Sequence, residues 1–202
     1  MVFIKNLLAT LFFALISISS LYASEISWQL KSTSDGISIY TRKVEGSKIL
    51  EFKATTVINA SINKIIPIFE DVPNLSSWYY QCTHSKLVKD EGAQDKIIYI
   101  VLHLPWPVAQ RDSVFKRSKS VDGENINYTI EALPDFLPVK KGKIRVLMIN
   151  SHWNFKSLPD GKTEIYFQQH SNPGGSIPPF LVNAMAIDTP QNSLKALRDL
   201  VK

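Results

Sequence analysis

Cysteine is nearly missing. Cys82 is the only one in 202 residues, which excludes an internal disulfide and leaves the hydrophobic core to hold the fold. No Cys-His motif surrounds it, so a buried, small apolar role is expected for Cys82. There is no Gly-x-Ser-x-Gly elbow, phosphate loop or His-Glu-x-x-His motif, which removes the commonest local signatures of hydrolases, nucleotide enzymes and zinc proteases. The four histidines, His84, His103, His152 and His170, are widely separated. Only His152 and His170, toward the ends of two consecutive strand segments, are placed so that they could meet as a metal pair. Charge of one sign is not concentrated either: the net charge is +5, and Lys140-Lys141-Gly142-Lys143 is the one tight cluster. That pattern argues against nucleic acid and allows transient contact with an anionic lipid surface. Internal repeats, low-complexity tracts and a second domain are absent.

Long apolar runs are confined to the start of the chain. Lys5 gives a basic lead, Leu7 to Leu21 is apolar, and Leu21-Tyr22-Ala23 ends on a small residue. This is the pattern of a secretory signal peptide over residues 1–23, cleaved after Ala23; an uncleaved anchor is the alternative. A periplasmic location follows as the expectation, with secretion or membrane anchoring as the other outcomes. Residues 24–202 then form a single domain, large enough to bury roughly 70% of its surface.

What is present is mostly strand. Asp35-Gly36 lies between two short strand segments, Trp28 to Lys31 and Ile37 to Arg42, and reads as a hairpin turn. Leu50, Phe52, Ala54 and Thr56 alternate with Glu51, Lys53 and Thr55, giving one buried and one wet face. Ser61 can cap a short helix with Ile62, Ile65, Ile66 and Phe69 on one side and a kink at Pro67, and a helical turn over Leu75 to Tyr80 carries Trp78, Tyr79 and Tyr80. Strand patterns then run over 85–89, 96–104, 112–118, 125–132, 143–155 and 162–170, with Gly-containing turns at hairpin spacing. A meander of about nine antiparallel strands should coil by its own twist.

The long helical signal comes last. Asn172-Pro173-Gly174-Gly175 and Pro178-Pro179 deliver the chain into it, and Phe180, Leu181, Ala184, Met185 and Ile187 lie near one stripe. Pro190 should interrupt the helix, with Thr189 capping a second segment that carries Leu194, Leu197 and Val201.

These residues carry a resemblance. Trp28 with the Asp35 to Arg42 hairpin, Trp78, Pro105-Trp106-Pro107 with Arg111-Asp112, Trp153, and Asn172-Pro173-Gly174-Gly175 before the last helix together resemble the START (StAR-related lipid transfer) domain family, as an exported bacterial member. The resemblance implies an α+β helix-grip fold (START/Bet v 1-like), in which a curved antiparallel sheet surrounds a long C-terminal helix. It further implies a tunnel for one lipid, sterol or similar apolar molecule, a non-enzymatic carrier or sensor role, and no cofactor. Related helix-grip folds include cyclases, so a cyclase/aromatase-like enzyme is the alternative. Monomeric behaviour and transient membrane contact are the accompanying expectations.

Two apolar-faced strands, Ile97 to Leu104 and Ile144 to Ile149, hold more apolar surface than one sheet-helix contact requires, for which a tunnel or a dry core are both uses. Polar residues on such strands are costly unless satisfied, so His103, Arg117, Arg145 and Gln169 are the candidates for orienting a ligand, with Trp78, Leu181 and Met185 as apolar wall. Three of them have a plainer reading: Trp78 as packing, His103 as a structural histidine, Arg145 in an ion pair with Asp112 or a rim glutamate. In cholesterol-binding START domains an arginine a few residues past the Arg-Asp pair meets a buried acid on the preceding strand. Arg117 matches the arginine, but Ile97 to Leu104 contains no carboxylate. Pro105, Trp106 and Pro107 are expected to form a stiff gate that touches the membrane through Trp106.

Overall fold

Asp35 and Gly36 take φ of 54° and 71°, the paired positive angles that a two-residue hairpin turn requires. They join β1 (Gln29–Ser34) to β2 (Ile37–Arg42), and β3 (Glu51–Ile58) pairs with β2 on its other side. The alternation expected for β3 holds from Phe52 on, with Phe52, Ala54, Thr56 and Ile58 buried, but Glu51, expected on the wet face, is buried as well. The computed structural model describes residues 27–106 and 108–202. The expected signal segment 1–23 lies outside the described residues, as does Pro107.

After β3 the chain does not continue to the neighbouring strand. It forms α1 (Ile62–Glu70), whose buried face is Ile65, Ile66 and Phe69, and then a 3-10 turn over Val72–Ser77. Together these carry it to the opposite sheet edge, where β4 (Cys82–Asp90) begins. From there β5 (Asp95–Leu102), β6 (Arg111–Asp122), β7 (Asn125–Ala132), β8 (Ile144–Arg145), β9 (Met148–Leu158) and β10 (Lys162–Asn172) return toward β3. The order is β1-β2-β3-β10-β9-β7-β6-β5-β4, with β1 and β4 as edges and no closure into a barrel. The expected meander is therefore split, because the helical crossing places the last strand beside the third. The count of about nine strands is met by nine in the main path plus the two-residue β8, which pairs parallel with β6.

The strand expected over 143–155 is broken. Val146 donates its amide to Asp112 O at 2.9 Å and Leu147 donates to Asn172 O at 3.0 Å, so consecutive amides address different strands and the chain leaves β6 for β10 at this point.

The last helix, α2 (Pro179–Leu200), is one helix with Pro190 buried inside it, not two segments. Its buried stripe is Val182, Ala186, Thr189, Ser193, Leu194 and Leu197, offset from the expected one; Phe180 and Ala184 are exposed. Polar residues explain the offset. Ser193 Oγ accepts the Tyr80 amide at 3.0 Å, so this stripe satisfies backbone as well as burying carbon. The helix packs on β1, β2, β3 and α1. Around its inner side lie Phe69, Trp78, Tyr128, Trp153, Phe155 and Phe167, with Trp153 and Phe167 stacked at 3.7 Å between centroids.

The second apolar face of β5 has a use other than a tunnel. Ile97, Tyr99 and Val101 form a separate cluster with Val114 on the outer face, where Leu133 and Leu137 of the β7–β8 connection cover it. The face of β5 that turns inward carries Ile98 and Ile100.

Candidate functional site

Between the inner sheet face and the front half of α2 lies a cavity of about 80 Å³. Val182, Met185, Ala186 and Thr189 form its helical wall at spacings of three and four residues, and Phe52, Ile100, Leu102 and Ile149 are among its sheet wall. A second cavity of about 40 Å³ abuts it, lined by Phe69, Leu75, Trp78, Phe115 and Trp153. Tyr79, Ile100, Ile149 and Gln169 line both. The two are thus lobes separated by a few side chains. Both are far smaller than the roughly 300–1,000 Å³ of a drug-sized ligand site, so a lipid-sized guest requires α2 or the Tyr79 partition to move.

Gln169 is the polar side chain shared by the lobes. Beside it the Tyr79 hydroxyl is pushed up to about 12 by burial, a shift that the Gln169 amide partly offsets, so it stays a neutral hydrogen-bonding group. Cys82 is buried and its thiol is pushed up to about 11 for the same reason, which leaves it unreactive at neutral pH.

Three arginines are buried, and they differ in how their charge is met. Arg117 lines the smaller lobe and donates to the carbonyls of Phe69 at 2.9 Å and Glu70 at 3.2 Å, closing the C-terminus of α1. The Glu70 carboxylate lies close enough to oppose the effect of burial on it. Arg145 is held by Asp112 through Nε–Oδ1 at 2.9 Å and Nη2–Oδ2 at 3.1 Å, and also donates to the carbonyls of Pro134, Leu137 and Pro138. Arg111 lines the larger lobe, donates to the carbonyls of Ala109 and, at 3.4 Å, of Gly174, and leaves its Nε without a partner.

The sequence candidates therefore divide. Gln169, Trp78, Met185 and Arg117 line the lobes. Trp78 also packs on Phe69 at 5.4 Å, so its packing and lining roles coexist. Arg145 does not reach them, because Asp112 and the 133–138 connection take its donors on the outer face; its ion-pair reading is the one that holds. His103 is exposed on the loop after β5, where its Nδ1 sits 3.4 Å from Gln110 Nε2. Leu181 is displaced from the wall by the helix phase that brings Val182 inward. Pro105 and Trp106 are exposed, Trp106 at 93%. His152 and His170 lie on adjacent strands but face Gln168 and Asn150, two positions out of step, and no metal-holding cluster occurs among the described residues.

A START domain profile matches residues 14–200. The chain belongs to the START domain family. This START domain is 33% identical to the STAR-related lipid transfer protein of Xanthomonas axonopodis, whose crystal structure superimposes with a TM-score of 0.80 over 86% of this chain and 98% of that one. An uncharacterized protein of Pseudomonas aeruginosa is 38% identical over 85% of each chain. The phosphatidylcholine transfer protein of Rattus norvegicus is 28% identical over 87% of this chain and 82% of its own. The START helix-grip architecture expected from the sequence is the one observed, and the family is one that binds and transfers lipids.

Sequence reasoning passed over Arg111 as a site residue in this START domain. Its signal was the position itself, the first residue of a strand whose next four residues are buried, directly after the loop carrying Trp106.

Proposed function

We propose that this START domain holds one hydrophobic ligand, a lipid, sterol or similar molecule, in the lobed space beneath α2 and exchanges it at a membrane without chemical conversion. The observation that carries this reading is the larger lobe, walled mainly by apolar side chains of β3, β5, β9 and α2 and placed under the helix front. The rear of α2 is tied down: Gln191 donates to Ser34 O at 3.3 Å, and Lys195 pairs with Asp35 at 3.3 Å. The front has fewer ties, chiefly Asn183, which accepts the Leu50 amide at 2.9 Å. Opening by the front of α2 against a fixed rear is the motion that this distribution favours.

The sheet register supports a membrane-facing end. Leu102 pairs with Arg111, Arg111 with Ile144, and Met148 with Asn172, so the 103–110 loop, the 133–143 connection and the lead-in to α2 gather at one end. Exposed there are Trp106, Val139, Leu147 and Phe180, beside the exposed Lys140 and Lys141. Apolar rings with adjacent lysines suit the headgroup layer of an anionic membrane. The basic start and apolar run of residues 1–23 support export to the periplasm. No cofactor is needed for such a carrier, which would act as a monomer.

Native mass spectrometry of the gently purified protein, followed by extraction, tests the reading. One bound lipid or sterol per chain is the expected result. A clean unbound mass together with failure to take ligand from loaded vesicles would overturn it.

A further inference from the structure

The two lobes do not share their walls equally. Val182, Met185, Ala186 and Thr189 of α2 border the larger lobe, whereas among the described residues none of α2 borders the smaller one. Lifting the front of the helix therefore enlarges the first space and leaves the second closed. Access to the smaller lobe depends on the residues that line both, Tyr79, Ile100, Ile149 and Gln169.

Three of these are fixed by the sheet. Ile100 pairs with Ser85 and Ser113, Gln169 with Phe52 and Ser151, and Ile149 with Ser171, so each sits in a hydrogen-bonded ladder whose backbone groups would be left unpaired if it moved. Tyr79 is different. It follows the 3-10 turn and opens a reverse turn in which its carbonyl accepts the Cys82 amide at 3.0 Å. Gln81, the third residue of that turn, takes φ of 61°, a left-handed angle that a residue with a Cβ adopts at a cost. Strain of this kind gathers at segments that switch.

Tyr79 also has somewhere to go. It is half-buried, and it borders an open groove of about 380 Å³ between residues 76–82 and the rear of α2. Its ring meets that of Trp78 edge-on at 5.7 Å, and its hydroxyl is enclosed beside the Gln169 amide. A polar contact and an edge-on ring contact, rather than a ladder, hold this side chain across the passage.

We infer that Tyr79 is the length selector of this carrier: its side chain closes the passage between the lobes, and a ligand too long for the larger lobe is admitted only by turning Tyr79 away from Gln169. This rests on the carrier reading above and adds to it the residue that decides how long a guest the protein takes. A ligand confined to the larger lobe buries only the carbon that fits there. One that turns Tyr79 gains the apolar walls of Phe69, Leu75, Phe115 and Trp153.

The test offers two straight-chain alcohols, decanol and octadecanol, separately on a cyclodextrin carrier to the purified protein, and reads the alcohol retained per chain. The carrier is the same for every protein, so a change in the ratio of octadecanol to decanol retained reports the protein's own preference. Tyr79→Ala should raise that ratio at least about tenfold over wild type, the change that roughly two further buried methylenes imply. Ile130 lines the smaller lobe alone, and filling that lobe with Ile130→Phe should cancel the gain in the double variant. Crystals of wild type with octadecanol supply the arm that needs no variant to fold: the chain should run into the smaller lobe with the Tyr79 ring turned toward the outer groove. Octadecanol bound with Tyr79 still against Gln169 overturns the selector, as does an unchanged ratio in Tyr79→Ala, and both leave the carrier reading standing. A gain that survives Ile130→Phe places the added length elsewhere and also overturns it. Retention of neither alcohol by wild type, with no lipid taken from loaded vesicles, overturns the carrier reading itself.

Discussion

Arg145 and Asp112 meet through two parallel hydrogen bonds, 2.9 and 3.1 Å long, with side-chain exposures of 4% and 0%. The remaining donors of Arg145 hold the carbonyls of Pro134, Leu137 and Pro138, so one ion pair fixes the connection that covers the outer face of β5. Removing one partner strands a buried charge. Asp112→Asn or Arg145→Met should therefore lower unfolding free energy by about 3–5 kcal/mol, read from denaturant midpoints. Limited proteolysis should then cut within 133–143. A loss below about 1 kcal/mol, the range of exposed pairs, would mean that the pair does not hold the loop.

The Trp106 ring is almost wholly exposed in a loop beside the larger lobe. Partial insertion of such a ring into a headgroup layer is worth on the order of 1–2 kcal/mol. Trp106→Ala should slow lipid transfer between vesicles about tenfold and leave equilibrium retention of ligand nearly unchanged. Unaltered transfer would remove Trp106 from the docking surface and leave Leu147 and Phe180 to be tested in turn.

Glu70 sets an acid limit. Burial alone would raise its carboxyl, but hydrogen bonds from Lys119 at 2.9 Å and Tyr128 at 2.8 Å, with the Lys119 and Arg117 charges, hold it below its ordinary 4.5. A carboxyl with a lowered folded value contributes stability that is complete above the unfolded value and lost as pH falls through the folded one. Melting temperature should consequently drop as pH falls below 4.5, and Glu70→Gln should flatten that part of the curve. Superimposable slopes for the two proteins would show that Glu70 does not link folding to protons.

The sequence made local structure legible and left long-range placement hidden. Asp35-Gly36 announced its hairpin because two positive φ angles suit that dipeptide. Nothing local in Ile62 to Ser77 indicated that these residues would carry the chain across to the far edge, since periodicity describes a face and not a destination. The break at Val146-Leu147 was hidden because both flanking segments are apolar, and only the change of hydrogen-bond partner creates it. In α2 the apolar pattern pointed to Phe180 and Ala184, whereas Thr189 and Ser193 take buried places. Gln169 and Arg117 were legible as polar residues on buried strands. Arg111 was not, because its distinguishing property is that no carboxylate pairs with it among the described residues, and pairing is a property of three dimensions.

Ala186 offers a test in which stability and binding should move apart. It is buried on the inner side of α2 and lines the larger lobe, so Ala186→Leu projects added carbon into empty space. At about 24 cal/mol per Å³, filling the whole cavity of about 80 Å³ would recover no more than about 2 kcal/mol, and a leucine fills only part of it. The expected gain is thus about 0.5–1.5 kcal/mol in unfolding free energy, provided the side chain finds an unstrained rotamer. Ligand retention from vesicles should fall at the same time, because the added side chain stands where the ligand would lie. A structural cavity of no functional use predicts the stability gain with retention unchanged, and that combination would count against the space beneath α2 as the ligand site.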